Sequence, residues 1–113
     1  MRIQNSSNNA ILAEQAVVAR TLSEKVTGLL GARKPNTIVF RTRWGIHTIG
    51  MQFSIDVAVC DGKGRVVAVR EDLSPGRLFF WNPRYATVIE FPAGTLQKTK
   101  TGKGDTLEFS EMV

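Results

Sequence analysis

Residues 44–59 read WGIHTIGMQFSIDVAV, and this stretch decides what kind of domain the chain builds. Apolar residues occupy the odd positions from Met51 to Val59. The even positions between them are Gln52, Ser54, Asp56 and Ala58. Because side chains of a strand point alternately to its two faces, the pattern predicts a half-buried β-strand. The preceding residues 44–50 hold the only histidine, between two glycines, and we predict that they form a rim beside the core.

The residues that follow predict an antiparallel hairpin. Asp61-Gly62-Lys63-Gly64 is a turn sequence, and residues 65–70, which are apolar from Val66 to Val69, can return beside the first strand. Further short strands are predicted at residues 37–40, 85–91 and 106–109. Residues 10–20 fit strands or a helix, and we favour strands because so much of the chain around them reads as β-structure.

One helix is predicted from Thr21 to Gly31. Thr21 and Glu24 form a capping box, and Gly31 can close the helix in a left-handed conformation. Its apolar stripe consists of Leu22, Val26, Leu29 and Leu30. Residues 95–99 can add a single helical turn. The fold class is therefore predicted as α+β and predominantly antiparallel β, with a small barrel-like sheet and one short helix packed on it.

The length of 113 residues suits one domain, which we place at residues 10–113 after a polar, flexible leader at residues 1–9. The net charge of +5 favours anionic partners, but the basic residues are spread over the chain in small groups. Nucleic-acid binding is therefore not the favoured interpretation. Neither an apolar signal sequence nor a membrane span is visible, so a cytoplasmic protein is expected.

Three side chains are candidates for acid–base chemistry: His47, Asp56 and Glu90. Each also has a structural interpretation. His47 can be a hydrogen-bonded rim residue, Asp56 a charge at a strand edge, and Glu90 the partner of Arg43 or Arg70. No HxH, HExxH or CxxC spacing is present, so neither a metal nor a cofactor is predicted. Cys60 has no second cysteine to pair with and is predicted to be a small buried apolar residue.

Aromatic residues and arginines are concentrated in a predicted loop at residues 77–84. Such a combination can stack bases or clamp a peptide. The candidate ligand-binding residues are Trp44, His47, Arg77, Phe80, Trp81 and Arg84. The alternative is that the loop folds back and plugs an open end of the barrel.

Several segments, in this order, resemble the DUF192 family of unknown function over about residues 10–110. They are GLLG at 28–31, HTIGMQFSIDV at 47–57, LSPGR at 73–77, VIEFPAG at 88–94 and GD at 104–105. Leu30 and Ser54 depart from the methionine and proline usual there. The resemblance implies a compact β-rich domain with one helix, known from bacteria and archaea, with exported and cytoplasmic members and no established activity. The positions that recur in the family correspond to His47, Met51, Asp56, Glu90 and Gly94.

The function predicted first is a non-enzymatic module that binds a small molecule or a protein through the rim around His47 and residues 77–84. An enzyme that uses His47 with Asp56 or Glu90 is the alternative. Nucleic-acid binding through the basic surface is a third and weaker hypothesis. The sequence predicts no oligomeric state.

Overall fold

The computed structural model describes residues 1–20 and 36–111, and these residues are mostly β-structure. Their strands form three sheets, and a short helix, α1, covers Thr95–Lys98. The strands are β1 (Arg2–Asn5), β2 (Ala10–Ala13), β3 (Val17–Val18), β4 (Ile38–Arg41), β5 (Gly45–His47), β6 (Ile55–Cys60), β7 (Val66–Leu73), β8 (Leu78–Phe80), β9 (Thr87–Pro92) and β10 (Leu107–Ser110).

The largest sheet has five strands in the order β3-β4-β9-β6-β7, and only the β3–β4 pair is parallel. Its strand β6 is buried at every residue. Val57 and Val59 pack into one apolar cluster, while Ala58 and Cys60 pack into a second cluster on the other face. The prediction of a half-buried strand is therefore wrong, because the sheet is covered on both sides. Alternation in this strand separates two apolar environments rather than core from water.

The strand β6 also begins later than the alternation predicts, at Ile55 rather than Met51. Gly50 adopts φ +87°, and the Met51 N–H donates to the Thr48 carbonyl at 3.2 Å. This turn separates the rim strand β5 from the core strand β6. The conspicuous stretch at residues 44–59 thus divides into two strands that belong to different sheets.

The second sheet has three antiparallel strands in the order β10-β1-β2. Its central strand β1 comes from residues 1–9, which were predicted as a flexible leader. Ile3 is fully buried there, and the buried Asn5 donates to Thr101 Oγ1 and Asp105 Oδ2, both at 3.0 Å. The strand is held by partners about a hundred positions later in the chain, which no local pattern could reveal.

The predicted β6–β7 hairpin is confirmed, and its turn is held by Asp61. The Asp61 Oδ1 accepts from the N–H of Lys63 at 2.9 Å and of Arg65 at 3.0 Å. The backbone N–H groups of Arg65 and Lys63 therefore hold the pKa of Asp61 below its usual range. The turn reaches β10, where the Leu107 N–H donates to the Gly64 carbonyl at 2.8 Å.

The α+β, predominantly antiparallel fold class is confirmed, but the barrel is not. In residues 1–20 and 36–111 the three sheets do not close on themselves. The predicted turn of helix at residues 95–99 is present as α1. The helix predicted from Thr21 to Gly31 lies outside the described residues. Within the described ranges, no helix has the length and apolarity needed to cross a membrane.

Replacement of Gly64 by alanine is expected to lower the free energy of unfolding by about 2 kcal/mol. Gly64 has φ +85°, and a Cβ atom there would collide with the Leu107 carbonyl oxygen. The matched control is Gly62→Ala in the same turn, since a Cβ atom at Gly62 meets nothing within 4 Å. Urea unfolding of both variants measures the difference. Equal stabilities would show that the turn does not depend on its contact with β10.

Candidate functional site

The strands β5 and β8 form a small antiparallel sheet in which Ile46 pairs with Phe79 and His47 with Leu78. Ile46 and Phe79 point towards the core, so their neighbours along each strand point outwards. Leu78 is 60% exposed and Phe80 is 66% exposed, and Trp44, just before β5, is 70% exposed. We call Trp44, His47, Leu78 and Phe80 the outer face. Leu78 and Phe80 share the outward side of β8, and Trp44 is exposed directly before β5. Three large exposed apolar side chains in and beside one small sheet are more than packing requires.

The glycine in β5 lets Phe80 lie against the sheet. A Cβ atom at Gly45 would lie 2.5 Å from Cδ1 of Phe80 and 2.6 Å from the Phe79 carbonyl oxygen. The Phe80 ring therefore covers the backbone of Gly45. Packing therefore requires glycine at position 45, because a residue with a Cβ atom would displace the exposed Phe80 ring.

Trp44 occupies a strained backbone conformation with φ +74°. The Gly45 N–H donates to the Arg43 carbonyl at 2.8 Å, which makes Trp44 the central residue of a γ-turn with positive φ. A bulky residue costs about 1–3 kcal/mol in such a region, so the surroundings must hold it there. Arg43 does so through Nη1, which donates to the carbonyls of Pro83 at 2.8 Å and Arg84 at 3.2 Å.

Thr48 fixes the segment between β7 and β8 to the end of β5. Its buried hydroxyl donates to the Ser74 carbonyl at 2.6 Å and accepts from the Arg77 N–H at 2.8 Å. Its backbone N–H donates to the Arg77 carbonyl at 2.9 Å, and its carbonyl accepts from the Gly76 N–H at 3.0 Å. Sequence reasoning gave Thr48 no such role. The sequence did hold one signal: Thr48 follows the apolar Ile46 by two positions, so in a strand both side chains point to the same side.

Asp56 is fully buried and binds three backbone N–H groups. Its Oδ1 accepts from Asp72 at 2.8 Å, and its Oδ2 accepts from Gly94 at 3.1 Å and Leu96 at 2.9 Å. Gly94 is the N-cap of α1, so the carboxylate of one strand caps a helix that lies 40 residues later. Both oxygens are occupied by structural bonds, which favours a positioning role over a chemical one.

The Asp72 N–H reaches Asp56 because β7 carries a bulge. Ile55 pairs with Leu73 and Val57 pairs with Arg70, so two residues of β7 face the single residue Asp56. Asp72 has φ +52° within this bulge. Aspartate is among the few residues that tolerate this conformation. The bulge, the buried carboxylate and the start of α1 therefore form one connected unit.

Glu90 and Asp56 point to opposite faces of the five-stranded sheet. Glu90 is fully buried in β9 and pairs in register with Ile38 and Val57. Asp56 precedes Val57 on β6, so its side chain points the other way. His47 is exposed on a different sheet, and in the described part of the chain its side chain makes no hydrogen bond. The structure thus does not bring the two carboxyl groups together.

The six predicted ligand-binding residues divide into two groups. His47 and Phe80 point outwards from the β5–β8 sheet and Trp44 is exposed just before it, whereas Trp81 is half-buried against the core. Trp81 Nε1 donates to the Tyr85 carbonyl at 2.8 Å, and its ring centroid is 5.6 Å from that of Phe79. Arg77 and Arg84 are exposed, the latter with its guanidinium 6.0 Å from the Tyr85 ring centroid. Residues 78–80 form strand β8, so the predicted loop is only partly irregular.

A family model described as uncharacterised ACR, DUF192, matches residues 3–109. The chain belongs to the DUF192 family. The resemblance seen in the sequence is therefore confirmed, and the match extends over β1. No curated protein matches the chain.

Two solved structures share the fold. A protein of unknown function from Novosphingobium aromaticivorans is 15% identical in sequence and superposes with a TM-score of 0.79. The match covers 96% of this chain and 82% of the Novosphingobium chain. A Sinorhizobium meliloti protein described as a "putative transcription regulator" is 21% identical, covers 95% of this chain and 89% of its own, and has a TM-score of 0.75. At these identities the similarity concerns the fold alone.

Two of the positions that recur in DUF192 are joined directly in this chain, since Asp56 Oδ2 accepts from the Gly94 N–H. Their role here is to connect β6 to α1. Met51 is also structural, because it is buried in the same apolar cluster as Val57. Of these positions His47 and Gly94 are exposed, and only His47 of the two carries a side chain.

No group of three or more potential metal ligands occurs among residues 1–20 and 36–111. Cys60 is buried, as predicted, and burial, with a smaller contribution from the charge of Asp61, raises the pKa of its thiol from 9.0 to about 12. A thiol with this pKa is protonated at neutral pH and is a poor nucleophile.

Replacement of Asp56 by asparagine is expected to cost about 3 kcal/mol of stability or more. One oxygen becomes an amide donor that faces backbone N–H groups, which leaves buried donors unpaired. The matched control is Asp72→Asn in the facing bulge, because Asp72 is exposed and asparagine accepts its positive φ. Chemical unfolding compares the two variants. If Asp56→Asn were as stable as Asp72→Asn, the structural role of Asp56 would be refuted.

The thiol of Cys60 is expected to make stability fall between pH 9 and pH 12. The unfolded chain releases this proton near pH 9.0 and the folded chain only near pH 12, so the folded state binds more protons in that window. The loss approaches about 1.4 kcal/mol for each pH unit. The measurement is the free energy of unfolding of the natural chain minus that of Cys60→Ala across this range. A difference that does not change with pH would contradict the prediction.

Proposed function

We propose that this DUF192 chain is a non-enzymatic binding module and that its outer face docks an acidic, partly apolar segment of a partner protein. The observation that carries the proposal is the exposure of Leu78 and Phe80 on one side of the β5–β8 sheet, with the exposed Trp44 directly before β5. Aromatic residues dominate the energetically important positions of protein interfaces. Ile49, which is 59% exposed two residues beyond His47, extends the apolar area.

The fixed geometry of the outer face supports this role. Gly45 holds the Phe80 ring against the sheet, and the Arg43 guanidinium holds the turn at Trp44. Thr48 ties β5 to the segment that leads into β8. A surface that is already ordered loses less conformational entropy on binding. Strain at an exposed tryptophan is also more common at functional sites than elsewhere.

A protein is favoured over a small molecule because the outer face is an open sheet surface. The grooves of about 420 Å³ beside β3 and β4 and about 510 Å³ beside the β6–β7 turn are both lined by other residues. Arg77, which directly precedes β8, and Arg84 are exposed arginines in the same part of the chain. Their charge favours an acidic partner by steering its approach.

The enzymatic alternative has less support from the geometry. Acid–base catalysis needs groups within hydrogen-bonding reach of a shared substrate. Asp56 is occupied by three N–H groups, and Glu90 is buried on the other side of the sheet. In the proposed module, the exposed His47 side chain provides a polar contact within the outer face.

Peptide display against the purified chain tests the proposal, with counter-selection against a Trp44→Ala/Phe80→Ala double variant. We expect the enriched peptides to combine apolar or aromatic residues with acidic ones. Each single substitution is expected to weaken their binding about tenfold or more. The matched control is Val17→Ala, which removes a 54% exposed apolar side chain from another sheet. Binding that survives the double variant would disprove this location.

The same preparation separates the proposal from nucleic-acid binding. Retention on immobilised single-stranded DNA should be weak, and it should not depend on Trp44 or Phe80. Tight retention that falls linearly with salt on logarithmic axes, and that is lost in the double variant, would instead favour a nucleic-acid partner.

A further inference from the structure

A groove of about 420 Å³ lies beside β3 and β4, at the edge of the five-stranded sheet. Val18 on β3 and Val39 on β4, which are register partners, contribute to its lining. Phe109 contributes from β10, so the groove lies between the two larger sheets. Its volume falls within the range of about 300–1,000 Å³ that small-molecule sites occupy.

The lining of the groove is mainly apolar although it is open to solvent. Val18 is 45% exposed, and Val39 and Phe109 are only half-buried. Burial of these side chains by an apolar ligand would remove them from water, which is favourable in proportion to the area covered. The groove is thus suited to a hydrocarbon chain or ring rather than to a polar solute.

The groove carries fixed positive charge, since Arg20 and Arg41 both line it. Arg41 of β4 is directly opposite Thr87 of β9, and both residues line the groove. None of the described residues that line it is acidic. A guanidinium remains charged at any physiological pH, and its planar fork matches the two oxygens of a carboxylate. The Thr87 hydroxyl adds a neutral donor beside it.

We infer that this groove binds a small amphipathic carboxylate, with the apolar part of the ligand against Val18, Val39 and Phe109 and the carboxylate at Arg41 and Thr87. A neutral molecule of the same length would lack a partner for the guanidinium. A strongly polar anion would leave the apolar walls in water. The site is independent of the outer face and does not require the proposed protein-binding function.

Calorimetric titration with straight-chain carboxylates tests the inference, using hexanoate, octanoate, decanoate and dodecanoate below their micelle-forming concentrations. We expect saturable binding of one ligand per chain that tightens with each added pair of methylene groups until the groove is full. Decanol is expected to bind more weakly than decanoate. Arg41→Gln is expected to weaken decanoate about tenfold and to leave decanol unchanged. Arg70→Gln, an exposed arginine on β7, is the control for net charge.

A second pair of variants separates binding from loss of the fold. Val18→Asp places a negative charge in the groove, and Val17→Asp places one on the neighbouring residue, which is exposed but does not line the groove. We expect Val18→Asp to abolish decanoate binding and Val17→Asp to preserve it. The inference is overturned if no carboxylate saturates the natural chain, if both aspartate variants bind equally, or if Arg41→Gln and Arg70→Gln weaken binding equally.

Discussion

The Asp56 carboxylate is the interaction on which the rest of this structure depends. It lies in the fully buried strand β6, and its three N–H donors come from a bulge in β7 and from the start of α1. A buried carboxylate is tolerated only when it is well bonded, and these donors meet that need without a cation. The same bonds supply partners for N–H groups that the bulge and the helix start leave without regular backbone partners. One side chain thus joins three elements that are distant in the sequence.

This buried unit gives the exposed region a rigid base. Leu73 follows the bulge and is buried in the same cluster as Ile46 of β5. Directly beyond Leu73, the Ser74 carbonyl accepts from the Thr48 hydroxyl, and Arg77 pairs with the Thr48 backbone. The strained turn at Trp44 is then held by hydrogen bonds from Arg43 to residues 83 and 84. Contacts with the core and these hydrogen bonds therefore fix the conformation of the outer face before a partner binds. Its aromatic residues then lose little conformational entropy on binding.

Local chemistry made part of the fold predictable. The β6–β7 hairpin could be read from the sequence because Asp61 and Gly64 shape a turn within four residues. Strand β1 could not be read in this way, since its buried Asn5 finds partners at residues 101 and 105. The covering of β6 on both faces was also hidden, because Ser54 and Asp56 made the second face read as polar and Ala58 suits a polar face and a packed one equally well.

The candidate site was predictable in composition but not in arrangement. Of the residues expected at a rim, His47 lies in β5 and Phe80 in the paired strand β8, and Trp44 directly precedes β5. Trp81 looks equivalent in sequence, yet alternation along the strand and the bond of its indole to Tyr85 place it against the core. The role of Asp56 was obscured because a lone carboxylate between valine and isoleucine resembles a catalytic group as much as a cap, and its partners lie 16 to 40 residues away.

Amide hydrogen exchange of Asp72, Gly94 and Leu96 in the natural chain tests most directly whether Asp56 joins these elements into one cooperative unit. The account predicts that all three N–H groups exchange only through global unfolding, with the same free energy of opening as the amides of Val57 and Val59 in β6. If instead these three exchanged rapidly by local opening while the β6 amides remained protected, the Asp56 carboxylate would not be the interaction that holds the structure together.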